Sequence, residues 1–359
     1  LPEVIETIAD FGENVLGKGI VYAKDTPNFI ANRIITFAMQ YLMHEMTKEG
    51  LTVEEIDALT GPAIGHASSA TFRTADLVGL DTLQKVVGNV RNGCPDDECL
   101  SIMSGPEWFD KMIEKGWFGL KSGSGFYKKT NEKDEKGKPI IMAFDPATID
   151  YRPPMKPRFE CTGAVRNVDS VEEKLKIMMG GEDKGAKFVF KFFANLARYA
   201  GNRIPEISDD IVNIDNAVKW GFAWETGIFD TWDILGFETV CDRMEKEGIA
   251  LPPIAVALKK AGGKSFYKTE NGVEMFFDLA SKSYKPVPKN PRELLLVNIK
   301  KDAKKVIAHT DSASVVDIGD GVICVEFHCK MNAIDSDIVA MLNKGVDLLE
   351  EGKYEGMVV

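Results

Sequence analysis

Few side chains in this sequence combine a reactive type with a suggestive spacing. Asn32 lies between apolar Phe29-Ile30 and Ile34-Ile35, where a carboxamide could both donate and accept hydrogen bonds. Taken alone, an asparagine inside a helix is a solvent-facing residue, because it competes with the helical backbone. Lys121 heads Ser122-Gly123-Ser124-Gly125; a loop ammonium suits an anionic or polar partner, against the ordinary fate of a solvated lysine. Ser68, Ser69 and Thr71 place hydroxyls just before Phe72. Asp57 and Asp76 recur as Asp215 and Asp233 and read as caps or turn carboxylates rather than bases.

Other chemistries are excluded by their missing motifs. No Gly-x-Gly-x-x-Gly follows a strand, and no Walker loop, Gly-x-Ser-x-Gly elbow or His-Glu-x-x-His occurs. The nearest glycine pattern, Gly123-Ser124-Gly125-Phe126-Tyr127, lacks the third glycine. The four histidines are His44, His66, His309 and His328, and His66 reads as a packed or surface imidazole. Six cysteines at 94, 99, 161, 241, 324 and 329 include no Cys-x-x-Cys, so reduced thiols and no metal site are expected.

The elements that must carry these residues are mostly helical. Residues 3–15 show an amphipathic pattern, and Ile20-Val21-Tyr22-Ala23 reads as a short buried strand. Thr26-Pro27 signals a helix start, with the helix ending at Gly50. Thr52-Val53-Glu54-Glu55 and Ser170-Val171-Glu172-Glu173 are capping boxes. Further helices are expected over 82–91, 107–115, 171–179, 186–200 and 253–261, with glycine stops at 180–181 and 262–263. Trp220, Trp224 and Trp232 read as packing residues.

A long internal repeat organises the chain. Ile56-Asp57 through Asp76-Leu77-Val78-Gly79-Leu80-Asp81-Thr82 is echoed by Ile214-Asp215 through Asp233-Ile234-Leu235-Gly236-Phe237-Glu238-Thr239. Gly125-Phe126-Tyr127-Lys128 is echoed by Ser265-Phe266-Tyr267-Lys268, each ahead of an apolar strand, the second through the turn Asn271-Gly272. The pattern predicts a mainly α protein of two related helical lobes, 26–150 and 165–290, joined by Tyr151-Arg152-Pro153-Pro154-Met155-Lys156-Pro157. Short α/β tails are expected at both ends. In the second, strands 314–318 and 322–327, a helix over 336–350 and a strand from Met357 look like the first layer of another domain.

Composition bounds the function classes. The chain has 359 residues, 44% hydrophobic and 28% charged, enough for sizeable cores without disulfide staples. Its net charge of −11 disfavours nucleic acid as a partner. No apolar run is long enough for a transmembrane helix, and residues 1–6 resemble neither a signal nor a transit peptide, so a cytoplasmic protein is expected. Lacking a starting Met, the chain reads as a segment of a larger protein.

Three ordered motifs carry a family resemblance. Lys24-Asp25-Thr26-Pro27-Asn28-Phe29-Ile30-Ala31-Asn32-Arg33-Ile34, Gly61-Pro62 through Asp76-Leu77-Val78-Gly79-Leu80-Asp81-Thr82, and Lys121-Ser122-Gly123-Ser124-Gly125-Phe126-Tyr127 resemble the C-terminal domain of L-3-hydroxyacyl-CoA dehydrogenases. The duplicated lobe resembles multifunctional fatty-acid β-oxidation proteins. Residues 311–359, with Asn332-Ala333-Ile334-Asp335, look like the start of an enoyl-CoA hydratase (crotonase) domain.

The resemblance implies a fold similar to the C-terminal domain of 6-phosphogluconate dehydrogenase. Residues 1–25 would end a Rossmann domain that binds NAD and supplies the catalytic His–Glu pair. Asn32 would hydrogen-bond the substrate near its 3-hydroxyl, and Lys121 would approach the cofactor. Phe29, Ser69 and Thr71 would line the acyl-CoA site, although His66-Ala67-Ser68-Ser69-Ala70-Thr71 replaces the family's Pro-Met-Gly-Pro. A homodimer is implied. Lobe two lacks the Asn-Phe-Ile-Ala-Asn-Arg run in the matching place and reads as a structural copy. The leading expectation is part of an NAD-dependent 3-hydroxyacyl-CoA dehydrogenase fused to a hydratase, inactive in either reaction on its own. The alternatives are a non-catalytic dimerisation or acyl-CoA-binding module, and a related dehydrogenase of another hydroxy acid.

Overall fold

In a computed structural model, all residues of 1–359 except 134, 291 and 330 are described. The chain divides into two compact units, Leu1–Val287 and Pro288–Val359. Among the described residues, no helix is long and apolar enough to cross a membrane.

The first unit is built on α1 (Pro2–Asp10), α2 (Ala31–Glu49), α3 (Val53–Leu59), α4 (Phe72–Val78), α5 (Leu80–Gly93) and α6 (Glu107–Glu114), then the antiparallel sheet β1 (Tyr127–Lys133), β2 (Pro139–Asp145) and β3 (Asp150–Arg152). After α7 (Glu160–Ala164) and α8 (Val171–Gly180) comes the long α9 (Lys184–Asn202). The remainder is α10 (Ile211–Phe222), α11 (Ile228–Leu235), α12 (Phe237–Lys246), α13 (Pro253–Lys260) and a second antiparallel sheet, β4 (Tyr267–Glu270), β5 (Val273–Asp278) and β6 (Ser283–Pro286). One continuous apolar core runs through both halves.

The local reasons are largely those of the sequence. Thr52 and Glu55 form a reciprocal capping box, the Glu55 N–H donating to Thr52 Oγ1 at 3.3 Å and the Thr52 N–H to Glu55 Oε2 at 2.8 Å. Ser170 caps α8 by accepting from the Glu173 N–H. Asn271 and Gly272 both have positive φ, 51° and 77°, as a tight hairpin turn between β4 and β5 requires. The central pair is α2 against α9, with the Phe37 and Tyr199 rings stacked at 4.2 Å.

Two local expectations are corrected. The helix predicted to open at Thr26-Pro27 begins only at Ala31. Asn28 and Phe29 are left-handed, with φ of 66° and 52°, which no α-helix accommodates. The Asn28 amide donates to the Val86 carbonyl at 2.9 Å, so a tertiary bond to α5 holds the turn open. Ile20–Ala23 forms no strand. Its backbone instead runs along α10 and the segment before it: the Tyr22 N–H donates to Asn213 Oδ1 at 2.7 Å and the Lys24 N–H to the Ile207 carbonyl at 3.0 Å. The apolar residues Val4, Ile5, Ile8 and Phe11 of α1 and the turn after it are exposed.

The second unit contains α14 (Leu296–Ile299), β7 (Val306–His309), β8 (Ala313–Gly319), β9 (Val322–Phe327), α15 (Ser336–Glu350) and β10 (Gly356–Val358). Its sheet has the order β10-β9-β8-β7, with β10 parallel to β9 and the rest antiparallel. Val315, Ile323, Val325 and Leu348 make its core beneath α15. The helix predicted over 336–350 and the strand at Met357 are both present.

Candidate functional site

The echoed carboxylates turn out to be latches. Asp57 accepts from the Phe72 N–H at 2.6 Å and the Tyr127 hydroxyl at 2.8 Å; Asp76 accepts from the Phe126 and Tyr127 N–H groups at 2.8 and 2.9 Å. The second half repeats this bond for bond. Asp215 accepts from the Phe229 N–H and the Tyr267 hydroxyl, both at 3.0 Å, and Asp233 from the Phe266 and Tyr267 N–H groups at 2.8 Å. Burial pushes Asp57 up to about 6 and Asp76 up to about 7. Burial likewise lifts Asp233 to about 7, and burial with the neighbouring Asp230 charge lifts Asp215 to about 8. In each case the N–H donors pull the other way. All four carboxylates tie the tip of a helix to the start of a sheet, with their oxygens engaged by backbone N–H groups and, for Asp57 and Asp215, a tyrosine hydroxyl.

The same latch explains the glycine-rich segment. A Cβ on Gly119 would collide with the Asp76 backbone and one on Gly125 with the Asp76 carboxylate, so these glycines let the loop close tightly on Asp76. They do not form an open nest of N–H groups for a phosphate. Lys121 pairs with Asp81 and has its side chain about half exposed. These residues do not by themselves fit a dinucleotide.

Ser69 and Thr71 come together on a cavity of about 380 Å³ beside α2, with Ile35, Met39 and Leu42 along one side. Asn32 is exposed and stands one turn before Ile35 on the same stripe of α2. The hydroxyl protons are already committed. Thr60 donates to the Ile56 carbonyl, so its 2.7 Å contact with Thr71 has Thr71 as donor. Thr74 donates to the Ala70 carbonyl, so its 2.7 Å contact with Ser69 has Ser69 as donor. The rim therefore offers a ligand hydroxyl lone pairs, which accept. His66 stacks on Trp224 at 3.7 Å, and burial pushes it down to about 3, so it is a neutral wall.

Phe29 and Lys121 do not line this cavity; Phe29 is exposed on its left-handed turn. A larger, more open cavity of about 580 Å³ is lined by Asp57, Arg73, Tyr127 and Met155, but holds none of Asn32, Phe29, Ser69, Thr71 or Lys121. The smaller cavity, lined by Ser69 and Thr71 though not by Asn32 itself, is therefore the candidate site.

Sequence reasoning missed Arg33. Fully buried, it donates to Tyr199 at 2.8 Å, Cys94 Sγ at 2.8 Å and Asp97 Oδ2 at 2.7 Å, and lies 3.0 Å from Glu206. Asp97 also accepts from the Tyr199 hydroxyl at 2.7 Å. Despite burial, Tyr199, Asp97 and Glu206 raise the guanidinium pKa; burial opposes ionisation of Asp97 too, but the Cys99 N–H, Tyr199 and Arg33 hold that carboxyl below its usual range. The signal available was an arginine in helical phase with Ile30 and Phe37, both core residues. The network ties α2, which carries Asn32, to α9 and the turn beyond it.

Residues 29–129 match the family described as 3-hydroxyacyl-CoA dehydrogenase, C-terminal domain. A probable 3-hydroxyacyl-CoA dehydrogenase of Bacillus subtilis is 39% identical over 358 residues, covering 100% of this chain and 44% of its own length. A putative fatty acid oxidation complex trifunctional enzyme of Rickettsia prowazekii is 25% identical over 97% of this chain and 43% of its own. The chain thus spans less than half the length of these relatives. A solved 3-hydroxybutyryl-CoA dehydrogenase of Escherichia coli K12 overlays 68% of this chain and 61% of its own, with a TM-score of 0.46 and 18% identity.

Proposed function

We propose that this chain is the substrate-closing helical part of an NAD-dependent enzyme that oxidises 3-hydroxyacyl-CoA to 3-ketoacyl-CoA in fatty-acid oxidation. The observation that carries the reading is the match over residues 29–129, which includes Asn32, Ser69, Thr71 and Lys121. The nicotinamide cofactor that the family implies accepts the hydride, and a dinucleotide domain ending within residues 1–25 would hold it. In this reading the Asn32 carboxamide, presented at the first turn of α2, orients the 3-hydroxyl. Orientation of the reacting atoms accounts for much of an enzyme's rate, so the loss of one such contact should be felt in turnover. Lys121, on its loop, turns from Asp81 toward the cofactor. Phe29, exposed on its turn, meets the substrate from outside the cavity.

The remainder is assigned on the same footing. Residues 26–150 and 165–290 are two copies of one helical unit, the second structural. Residues 311–359 open a crotonase-like hydratase domain. The parent protein acts as a cytoplasmic homodimer, and the 359-residue chain alone turns over neither substrate.

Asn32→Ala in the full-length protein tests the reading. It should lower kcat/KM for 3-hydroxyacyl-CoA at least about tenfold, with melting unchanged because the side chain is exposed. Wild-type kinetics would remove Asn32 from the site. A full-length protein with no dehydrogenase activity on any 3-hydroxyacyl-CoA would leave the non-catalytic acyl-CoA-binding module.

A further inference from the structure

The cavity beside α2 has walls from both halves of the repeat. Ile35, Met39 and the hydroxyl loop belong to the first; Trp220, Phe222 and Trp224, at the end of α10 and just beyond, belong to the second. None of its lining residues is Lys, Arg, Asp or Glu, and His66 is held neutral. An uncharged, mostly apolar space with a few polar groups at its rim suits a hydrocarbon chain better than a nucleotide or a carboxylate.

Its dimensions are specific. Ile35 to Leu42 spans seven residues of α2, about 10 Å at a rise of about 1.5 Å per residue. A zigzag alkyl chain with C–C bonds of about 1.5 Å covers that distance in roughly eight carbons. The volume of about 380 Å³ matches on the order of ten methylene-sized groups, each near the ~30 Å³ share of a water molecule. Phe192 also lines the cavity, with its ring 6.3 Å from that of Tyr41, next to Leu42. That contact sets it toward the Leu42 end of this stretch of α2. Gly221 lies at the opposite end: a Cβ there would come 3.7 Å from Ala31, the residue before Asn32.

Resting on the reading above, we infer that this cavity takes the tail of a medium-length acyl thioester, and that the second copy's aromatic wall sets the length accepted. The second copy is then a specificity element as well as a packing partner. A tail entering beside Asn32 loses water methylene by methylene, so affinity climbs with chain length until Phe192 is reached.

Calorimetric titration of the 359-residue chain with free CoA, butyryl-CoA and decanoyl-CoA tests this. Decanoyl-CoA should bind at least about tenfold more tightly than butyryl-CoA, the modest share of methylene burial that an open-mouthed cavity retains. Ala67→Phe, at a half-buried lining position, should abolish that advantage and leave free CoA unchanged. Phe192→Ala should move the advantage toward longer chains; because Phe192 is buried, its melting curve is measured alongside, and Ala67→Phe decides the matter if it unfolds. Equal binding of the three ligands, no binding of either acyl-CoA, or an unchanged ratio in folded Ala67→Phe overturns the inference. Its failure is distinct from failure of the dehydrogenase reading. In the first case the full-length enzyme oxidises 3-hydroxybutyryl-CoA and 3-hydroxydecanoyl-CoA and Ala67→Phe slows both alike. In the second, length-dependent binding persists with no NADH formed from either.

Discussion

The stretch from Asp57 to Tyr127 and the stretch from Asp215 to Tyr267 make the same bonds and serve different ends. In both, two carboxylates gather the N–H groups and tyrosine hydroxyl where helices meet a sheet. What differs lies between the latch points. The first copy spends the interval on a loop whose hydroxyls face the cavity, while the second supplies Trp220, Phe222 and Trp224 to the opposite wall. Burial also differs: Asp215 is fully buried and Gly227 packs so closely on it that no Cβ could fit. Buried donors must be satisfied, which fixes the latch in both copies. The loops around it carry no such obligation and diverge.

Breaking the latch should expose the asymmetry most strongly. Asp215→Ala strands the Phe229 and Asp230 N–H groups and the Tyr267 hydroxyl, and each orphaned buried donor costs about 1–3 kcal/mol. Asp57→Ala removes the acceptor of the Phe72 and Arg73 N–H groups and of the Tyr127 hydroxyl, but at a half-buried position that water can reach. Urea unfolding should therefore show a loss of about 3 kcal/mol or more for the fully buried Asp215→Ala and a smaller loss for the half-buried Asp57→Ala. A larger loss in the first copy would reverse the view that the second is the more rigid.

The pH dependence sharpens the same contrast. Folded pKa values of about 6 and 7 for Asp57 and Asp76, and about 8 and 7 for Asp215 and Asp233, lie above the unfolded value near 3.8. Between these limits the folded chain binds more protons than the unfolded one at these four carboxyls, while neutral His66 binds fewer below about pH 6.5. The stabilisation is thus complete below about pH 4 and is lost as pH rises through the folded values, at about 1.4 kcal/mol per unit of elevation. Chemical denaturation from pH 4 to 9 should show this decline. Asp57→Asn should flatten it below about pH 6, and Asp215→Asn should remove the part that continues toward pH 8. A pH profile left unchanged by both substitutions would contradict these environments.

Lys121→Ala should have the smallest effect on the fold. Its partner Asp81 is solvent-accessible, and exposed ion pairs contribute little. Tm should stay within error of the wild type. In the full-length enzyme the same substitution should weaken NADH binding more than acyl-CoA binding, as titration with each ligand would show; equal losses would make Lys121 a plain loop cation.

The repeat, the capped helices, the strands β8, β9 and β10 of the second unit and the Asn28–Arg33 run were legible because each rests on local spacing or on a motif readable in order, whereas β7 was not read. The left-handed turn at Asn28-Phe29 was not, since Thr26-Pro27 is a sound helix start and only the distant Val86 carbonyl overrules it. The Ile20–Ala23 strand failed likewise, its backbone groups finding Asn213 and Ile207 instead of a neighbouring strand.

By itself the sequence singled out candidate residues for chemistry and read the latch aspartates as caps or turn carboxylates, in line with their hydrogen bonds to backbone N–H groups. It could not decide which of those residues share a cavity. Ser69 and Thr71 meet Trp220 and Trp224, about 150 residues away, because both halves bury their apolar faces in one core. Nor could it show that Arg33 would be fully buried, since that charge is tolerable only where Tyr199, Asp97 and Glu206 converge on it. Spacing along a chain fixes local geometry; satisfying a buried charge, or closing a cavity from two sides, depends on partners that only the folded chain brings within reach.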